Sequence, residues 1–161
     1  MRAFHYVAFA VVVALSGCVM PVKIDRQFTV AGTTVSDGQI TISLSKEVAD
    51  EKEKLRFIQE YDMQKHIISR AGDMLAGRKV RRSLKIDFEI TSFLTRTHTF
   101  MRGHTYVVGT VKLSENGKEL ESFKINVTEV VPSSGDERFN TIADKIAHQI
   151  HWYGAKKYSE S

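Results

Sequence analysis

The 161-residue sequence has one cysteine and two prolines, and each scarcity removes a class of protein. A lone cysteine cannot build a disulfide scaffold. Two prolines and ten glycines without a repeat period exclude collagen-like and low-complexity chains. No apolar run reaches the roughly 20 residues that a simple membrane-spanning helix needs. Compact signatures of familiar chemistry are missing too. No Gly-x-Ser-x-Gly surrounds a serine, and there is no glycine-rich phosphate loop and no His-Glu-x-x-His. What remains is an ordinary globular composition, 42% hydrophobic and 26% charged, in a length that suits one domain with one core.

The amino-terminal stretch is the most informative part. Arg2 is followed by the apolar run 6–15 and then by Ser16 and Gly17, the order of an export signal. Almost no polar residue interrupts the run, which argues against an amphipathic core helix. It ends in Leu15-Ser16-Gly17-Cys18, which resembles the lipobox of bacterial lipoproteins. The resemblance implies a diacylglycerol on the Cys18 sulfur, cleavage between Gly17 and Cys18, and acylation of the new amino group. One acyl chain gives only marginal membrane binding, so three would make a lasting anchor. Lipidation would also account for an unpaired cysteine in an exported protein. Val19 rather than Asp follows Cys18, which in lipoproteins of the enterobacterial type implies the outer membrane, with the domain facing the periplasm.

Without residues 1–17 the chain keeps 22 basic and 19 acidic side chains, a mild positive excess. The densest basic run, Arg78-Lys79-Val80-Arg81-Arg82, suits a solvated link after a helix carboxy-terminus. Its functional reading is contact with an anionic surface such as phospholipid headgroups; nucleic acid is not an expected partner.

Beyond the signal, residues 18–38 read as a lipidated tether, 39–154 as the domain and 155–161 as a polar tail. Ile40, Ile42 and Leu44 alternate with polar neighbours as a half-buried strand does. Ser45 before an acidic turn marks a helix start. Phe57, Tyr61, Gln64, Ile68, Ala71 and Leu75 then recur every three or four residues, predicting one helix to about residue 76, with Gly77 as its cap. Leu84, Ile86, Phe88 and Ile90 give the cleanest alternation, continuing to Phe93 or Leu94. Residues 95–103 read as a polar connection, and Asn116-Gly117 as a hairpin turn between strands. Pro132-Ser133-Ser134-Gly135-Asp136 ends the last strand. Phe139, Ile142, Ala143, Ile146, Ile150 and Tyr153 then share one face of a closing helix. The expected fold is therefore α+β, a mostly antiparallel sheet of about four strands with two amphipathic helices on one face, in the order β-α-β-β-β-α.

Candidate sites are few. Arg96, His98 and Arg102 lie in the 95–103 connection and His104 follows it; a hairpin there could bring them together as a polar group for a small-ligand carrier or hydrolase. His148 and His151 stand three apart on the last helix, without the Glu of a zinc protease. Asp87 and Glu89 share the wet face of their strand, whereas glycosidase pairs come from separate elements. No catalytic residue, metal or cofactor is implied. The element order resembles small α/β modules of bacterial envelope lipoproteins, including the TolB amino-terminal domain and lipoprotein activators of peptidoglycan synthases. That resemblance implies a non-catalytic adaptor whose free sheet face or edge receives an envelope protein partner; an exposed apolar or aromatic patch near Phe93, Phe100 and Met101 would support it.

Overall fold

The structure, a computed structural model, describes residues 26–78, 80–98, 101–131 and 135–159. The signal at 1–17, Gly17 and Cys18 at the cleavage site, Val19, Lys79, Phe100 and Pro132-Ser133-Ser134 lie outside the described residues. The elements run β1 (Thr29–Ala31), β2 (Thr34–Ser36), β3 (Ile40–Leu44), α1 (Lys46–Asp50), α2 (Lys52–Glu60), α3 (Met63–Gly77), β4 (Leu84–His98), β5 (Met101–Glu115), β6 (Lys118–Val131) and α4 (Gly135–Gln149). After α4 the chain continues as a π turn (Ile150–Gly154) and a 3₁₀ turn (Ala155–Tyr158). Among the described residues no helix is long and apolar enough to cross a membrane.

The class is α+β, as the alternation predicts, but the sheet has six strands rather than about four. They stand in sequence order, and every adjacent pair is antiparallel except β3 and β4. Helices α1 to α3 fill the crossover that a parallel pair requires. The two additional strands form a hairpin within the span assigned to the tether. β1 is exposed along its length, so it carries no buried alternation that a sequence pattern could show. Arg26, just before it, is fastened to the body by Asp37 at 2.9 Å and Asp73 at 3.2 Å.

The predicted long helix is three pieces. Ser45 caps α1 by accepting from the Val48 N–H, but the chain breaks at Glu51 and again at Tyr61 and Asp62, where Asp62 adopts a left-handed conformation (φ 45°). Gln64, read as part of the apolar stripe, is buried and donates from Nε2 to the Thr33 and Ile42 carbonyls at 2.8 and 2.9 Å. It ties α3 to the hairpin and to β3. Such a buried amide is tolerated because both its N–H groups are satisfied.

β4 keeps Leu84, Ile86, Phe88 and Ile90 on the helix-covered face, each fully buried. A bulge between Ile90 and Ser92 then inserts Thr91, so that Phe93 returns to the same face three residues on. Covering this face are Ile67, Ile68, Ala71 and Leu75 of α3 and Phe139, Ile142, Ile146 and Ala147 of α4. Each fully buried Ile, Leu or Phe contributes about 1.5–3 kcal/mol. Phe139 is the aromatic centre, stacked on Tyr61 at 4.3 Å and near Phe57 and Phe93 at 6.1 and 6.3 Å. The Asn116-Gly117 turn has positive φ at both residues, 52° and 78°, the geometry that a two-residue hairpin of matching twist needs.

The described residues of the 95–103 span are paired strand rather than a polar connection. β4 runs to His98 and β5 starts at Met101, with Arg96 opposite His104 and His98 opposite Met101. Backbone pairing satisfies these residues regardless of their polar side chains, so alternation stops long before the strands do.

Candidate functional site

Of the four residues singled out from sequence, the strand register places Arg96 and His104 opposite each other and Arg102 two positions before His104 on β5. The His104 side chain is exposed, and the side chains of Arg96, His98 and Arg102 lie outside the described part. The two grooves described below are lined by other residues.

The sheet face turned away from the helices falls into two parts. At the Leu84 end it is charged: Lys85, Asp87, Glu89, Lys112 and Lys124 are exposed, with Asp87 directly opposite Lys112. Asp87 and Glu89 thus sit among cations on a wet surface. At the other end apolar side chains remain uncovered. Leu94 is 43% exposed and opposes the half-buried Tyr106, Val108 is half-buried two positions along, and Val130 is 41% exposed on β6. Of Phe93, Phe100 and Met101, whose exposure would support an adaptor, only the Phe93 side chain is among those described, and it is not on the surface. Phe93 is fully buried beneath α4, because the Thr91 bulge turns it inward, and it is Leu94 that faces outward.

A second feature lies on the outer side of the helix layer. Between α3 and the end of α4 runs a groove of about 680 Å³, lined by Arg70, Met74, Asp144, Lys145, His148, Trp152 and Tyr153. It meets a smaller one of about 280 Å³ lined by Asp73, Met74, Arg78, His148, His151 and Trp152. The π turn supplies the groove's two large rings. In an uninterrupted α-helix Tyr153 would continue the buried stripe of Ile146 and Ile150, as the spacing predicts. The wider turn shifts the phase by about one residue, so Tyr153 stands 62% exposed while His151, Gly154 and Ala155 go in. Trp152 is 50% exposed, with the His148 ring stacked at 5.9 Å and the Lys156 ammonium 3.9 Å from its centroid.

His148 and His151 both line the smaller groove, but in different states. His148 is exposed, whereas His151 is 5% exposed and its Nδ1 is buried without a hydrogen-bond partner among the described residues. Burial holds the His151 pKa below its ordinary 6.5, and the positive charges of Arg78, His148 and Lys156 act the same way. Among the described residues no three His, Cys, Asp or Glu side chains gather as a metal site. The basic run is also less free than its composition implies. Arg81 lies over the Tyr158 ring at 5.7 Å and pairs with Glu115 at 3.2 Å, while Val80 is buried and bridges to Ser159. Sequence spacing points to the His pair but misses Trp152, Tyr153 and Leu94, since a π turn and a bulge each break the period on which spacing depends.

Among the described residues the architecture is thus a six-stranded α+β sheet with helices on one face. No family model matches the chain, and no curated protein does. Among solved structures, a candidate lipoprotein from Caulobacter crescentus CB15 is similar over 74% of this chain and 90% of its own, with a TM-score of 0.47 and 13% identity. Lipoprotein GNA1162 from Neisseria meningitidis is similar over 43% of this chain and 49% of its own, with a TM-score of 0.28 and 21% identity. At these values neither likeness carries function.

Proposed function

We propose that this chain is a lipid-anchored protein of the bacterial cell envelope, cleaved between Gly17 and Cys18 and held in the outer membrane with its domain in the periplasm. The domain acts as a non-catalytic adaptor or accessory binding module for an envelope complex. The anchor rests on Leu15-Ser16-Gly17-Cys18 at the end of an apolar run. The adaptor role rests on one observation, the uncovered apolar end of the sheet, where Leu94, Tyr106, Val108 and Val130 come together from three adjacent strands. Leu94 opposes Tyr106, Val108 is the next residue of that face on β5, and Val130 stands diagonal to Tyr106 beside the exposed His104, so apolar side chains and a tyrosine are interleaved with polar ones, a mixture found at protein interfaces.

Site-directed photo-cross-linking in living cells tests this. A photoreactive residue at Leu94 or Val130 is expected to give one defined protein adduct, and the same residue at Lys85 or Lys124 on the charged end none. In the Cys18→Ser background the protein should leave the membrane fraction and the adduct should weaken. Equal labelling from both ends of the sheet, or none from Leu94 and Val130, overturns the adaptor reading. A Cys18→Ser protein that stays in the membrane fraction overturns the anchor.

A further inference from the structure

The groove between α3 and the end of α4 differs from an enclosed ligand pocket. Its two large rings, Trp152 and Tyr153, project from the surface at 50% and 62% exposure rather than lining a closed cavity. The charges around it are unequally matched. Its two acids are taken, Asp144 by Arg70 at 2.8 Å and Asp73 by Arg26 at 3.2 Å. Among the described residues Arg78, at the narrow end, and Lys156, over the indole, have no carboxylate partner. Projecting amphipathic rings beside unmatched cations suit a water–lipid boundary. Such rings bury their bodies at headgroup depth and keep their polar atoms wet, and the cations meet phosphates.

A second observation concerns where the chain enters the domain. Arg26 lies against Gly72 and holds Asp73, and Asp73 is itself part of the groove wall. Arg26 is eight residue steps from Cys18, which is at most about 26–29 Å of extended chain. A lipid on Cys18, the reading proposed above and the one on which this inference rests, keeps the Asp73 end of the groove close to the bilayer. The open sheet face belongs to the opposite side of the domain, away from the helices, and so stays free for a protein.

We infer that the groove is the membrane-facing surface of the domain: Trp152 and Tyr153 enter the headgroup layer, and Arg78 and Lys156 contact the phosphates of anionic phospholipids. The anchor and this face would together fix the orientation of the domain on the membrane.

Trp152 is the sole tryptophan of the chain, so its emission reports on this surface alone. The lipidated full chain is reconstituted with vesicles of phosphatidylcholine, or of phosphatidylcholine mixed with phosphatidylglycerol. In the mixed vesicles the emission should shift to the blue, lose its quenching by iodide and gain quenching by lipids brominated near the headgroup, and added salt should reverse the change. The double variant Arg78→Glu, Lys156→Glu should still sediment with the vesicles and keep its circular dichroism. It should lose most of the optical response, since each basic residue near such a surface is worth about a fivefold preference. Emission that is the same in both vesicle types and stays open to iodide overturns the inference. So does an equal change produced by glycerol phosphate without a bilayer, which would place a small anion in the groove instead. Failure to sediment with phosphatidylcholine alone counts against the anchor and not against the face, which the response of Trp152 to mixed vesicles then decides by itself.

Discussion

α3 and α4 are each 15 residues long, pack on one another and cover the same sheet face, yet they end differently. α3 keeps strict helical spacing, burying Met63, Ile67, Ile68, Ala71 and Leu75, and stops after Gly77, where the Arg78 N–H turns back to the Leu75 and Ala76 carbonyls. α4 keeps the same spacing through Phe139, Ile142, Ile146 and Ile150, but then widens into the π turn. The regular parts of the two helices do the same thing, which is to bury apolar stripes. Their ends do not. The end of α3 closes a helix, whereas the end of α4 uses a shift of phase to put two aromatic rings into solvent and a histidine into the interior. One added residue in a helical turn is enough to exchange a core position for a surface one.

The equivalence of the regular parts is the first thing to test. Ile68 on α3 and Ile146 on α4 are both fully buried. Ile68→Ala and Ile146→Ala should each destabilise by about 2–5 kcal/mol in urea unfolding, through lost transfer energy and the cavity left behind. A cost below about 1 kcal/mol at Ile146 alone would break the comparison, showing that α4 is not held to the sheet as α3 is.

The ends separate the two helices more sharply. A Cβ added at Gly77 meets nothing within 4 Å, so Gly77→Ala should stabilise by about 0.4–1 kcal/mol through the unfolded chain. At Gly154 a Cβ would lie 2.8 Å from the Phe123 ring and 3.0 Å from Leu113. Gly154→Val should therefore cost about 1–3 kcal/mol by overpacking. Opposite signs at the two glycines, measured in the same denaturation series, would show that close approach of the π turn to β6 is what holds the phase shift in place.

This contrast also explains how much of the molecule was legible in its sequence. Where one side of an element is buried without interruption, residue identity records it: Leu84 to Ile90 in alternation, Ile68 to Leu75 at helical spacing, Ser45 as a cap and Asn116-Gly117 as a turn. Legibility fails where the backbone departs from its period. The Thr91 bulge exchanges the sides of Phe93 and Leu94, the left-handed Asp62 divides a continuous stripe into separate helices, and the π turn reverses Tyr153. The hairpin at 29–36 and the paired ends of β4 and β5 fail for another reason. They are held by main-chain hydrogen bonds that any side chains permit, so Arg96 and His104 looked like a loop cluster and lie instead in register on neighbouring strands.

The smallest effect concerns the group that the π turn buries. Burial first, and then the charges of Arg78, His148 and Lys156, oppose a proton on His151, and the Asp73 carboxylate that shares its groove is held by Arg26. The unfolded chain meets no such opposition and takes up a proton near pH 6.5. As pH falls through that value the unfolded state therefore binds more protons than the folded one, and stability drops until the lower folded pKa is passed. The slope from this residue cannot exceed about 1.4 kcal/mol per pH unit. Thermal unfolding of the wild type and of His151→Phe, followed from about pH 7.5 to 5.5, isolates that slope as the difference between the two curves. The variant should lose less stability on acidification, because phenylalanine fills the site without a proton to refuse. Parallel curves would mean that His151 is as easily protonated in the fold as outside it. The π turn would then have moved an aromatic-sized side chain inward without creating an environment that resists charge, and the distinction between the two helix ends would be one of shape alone.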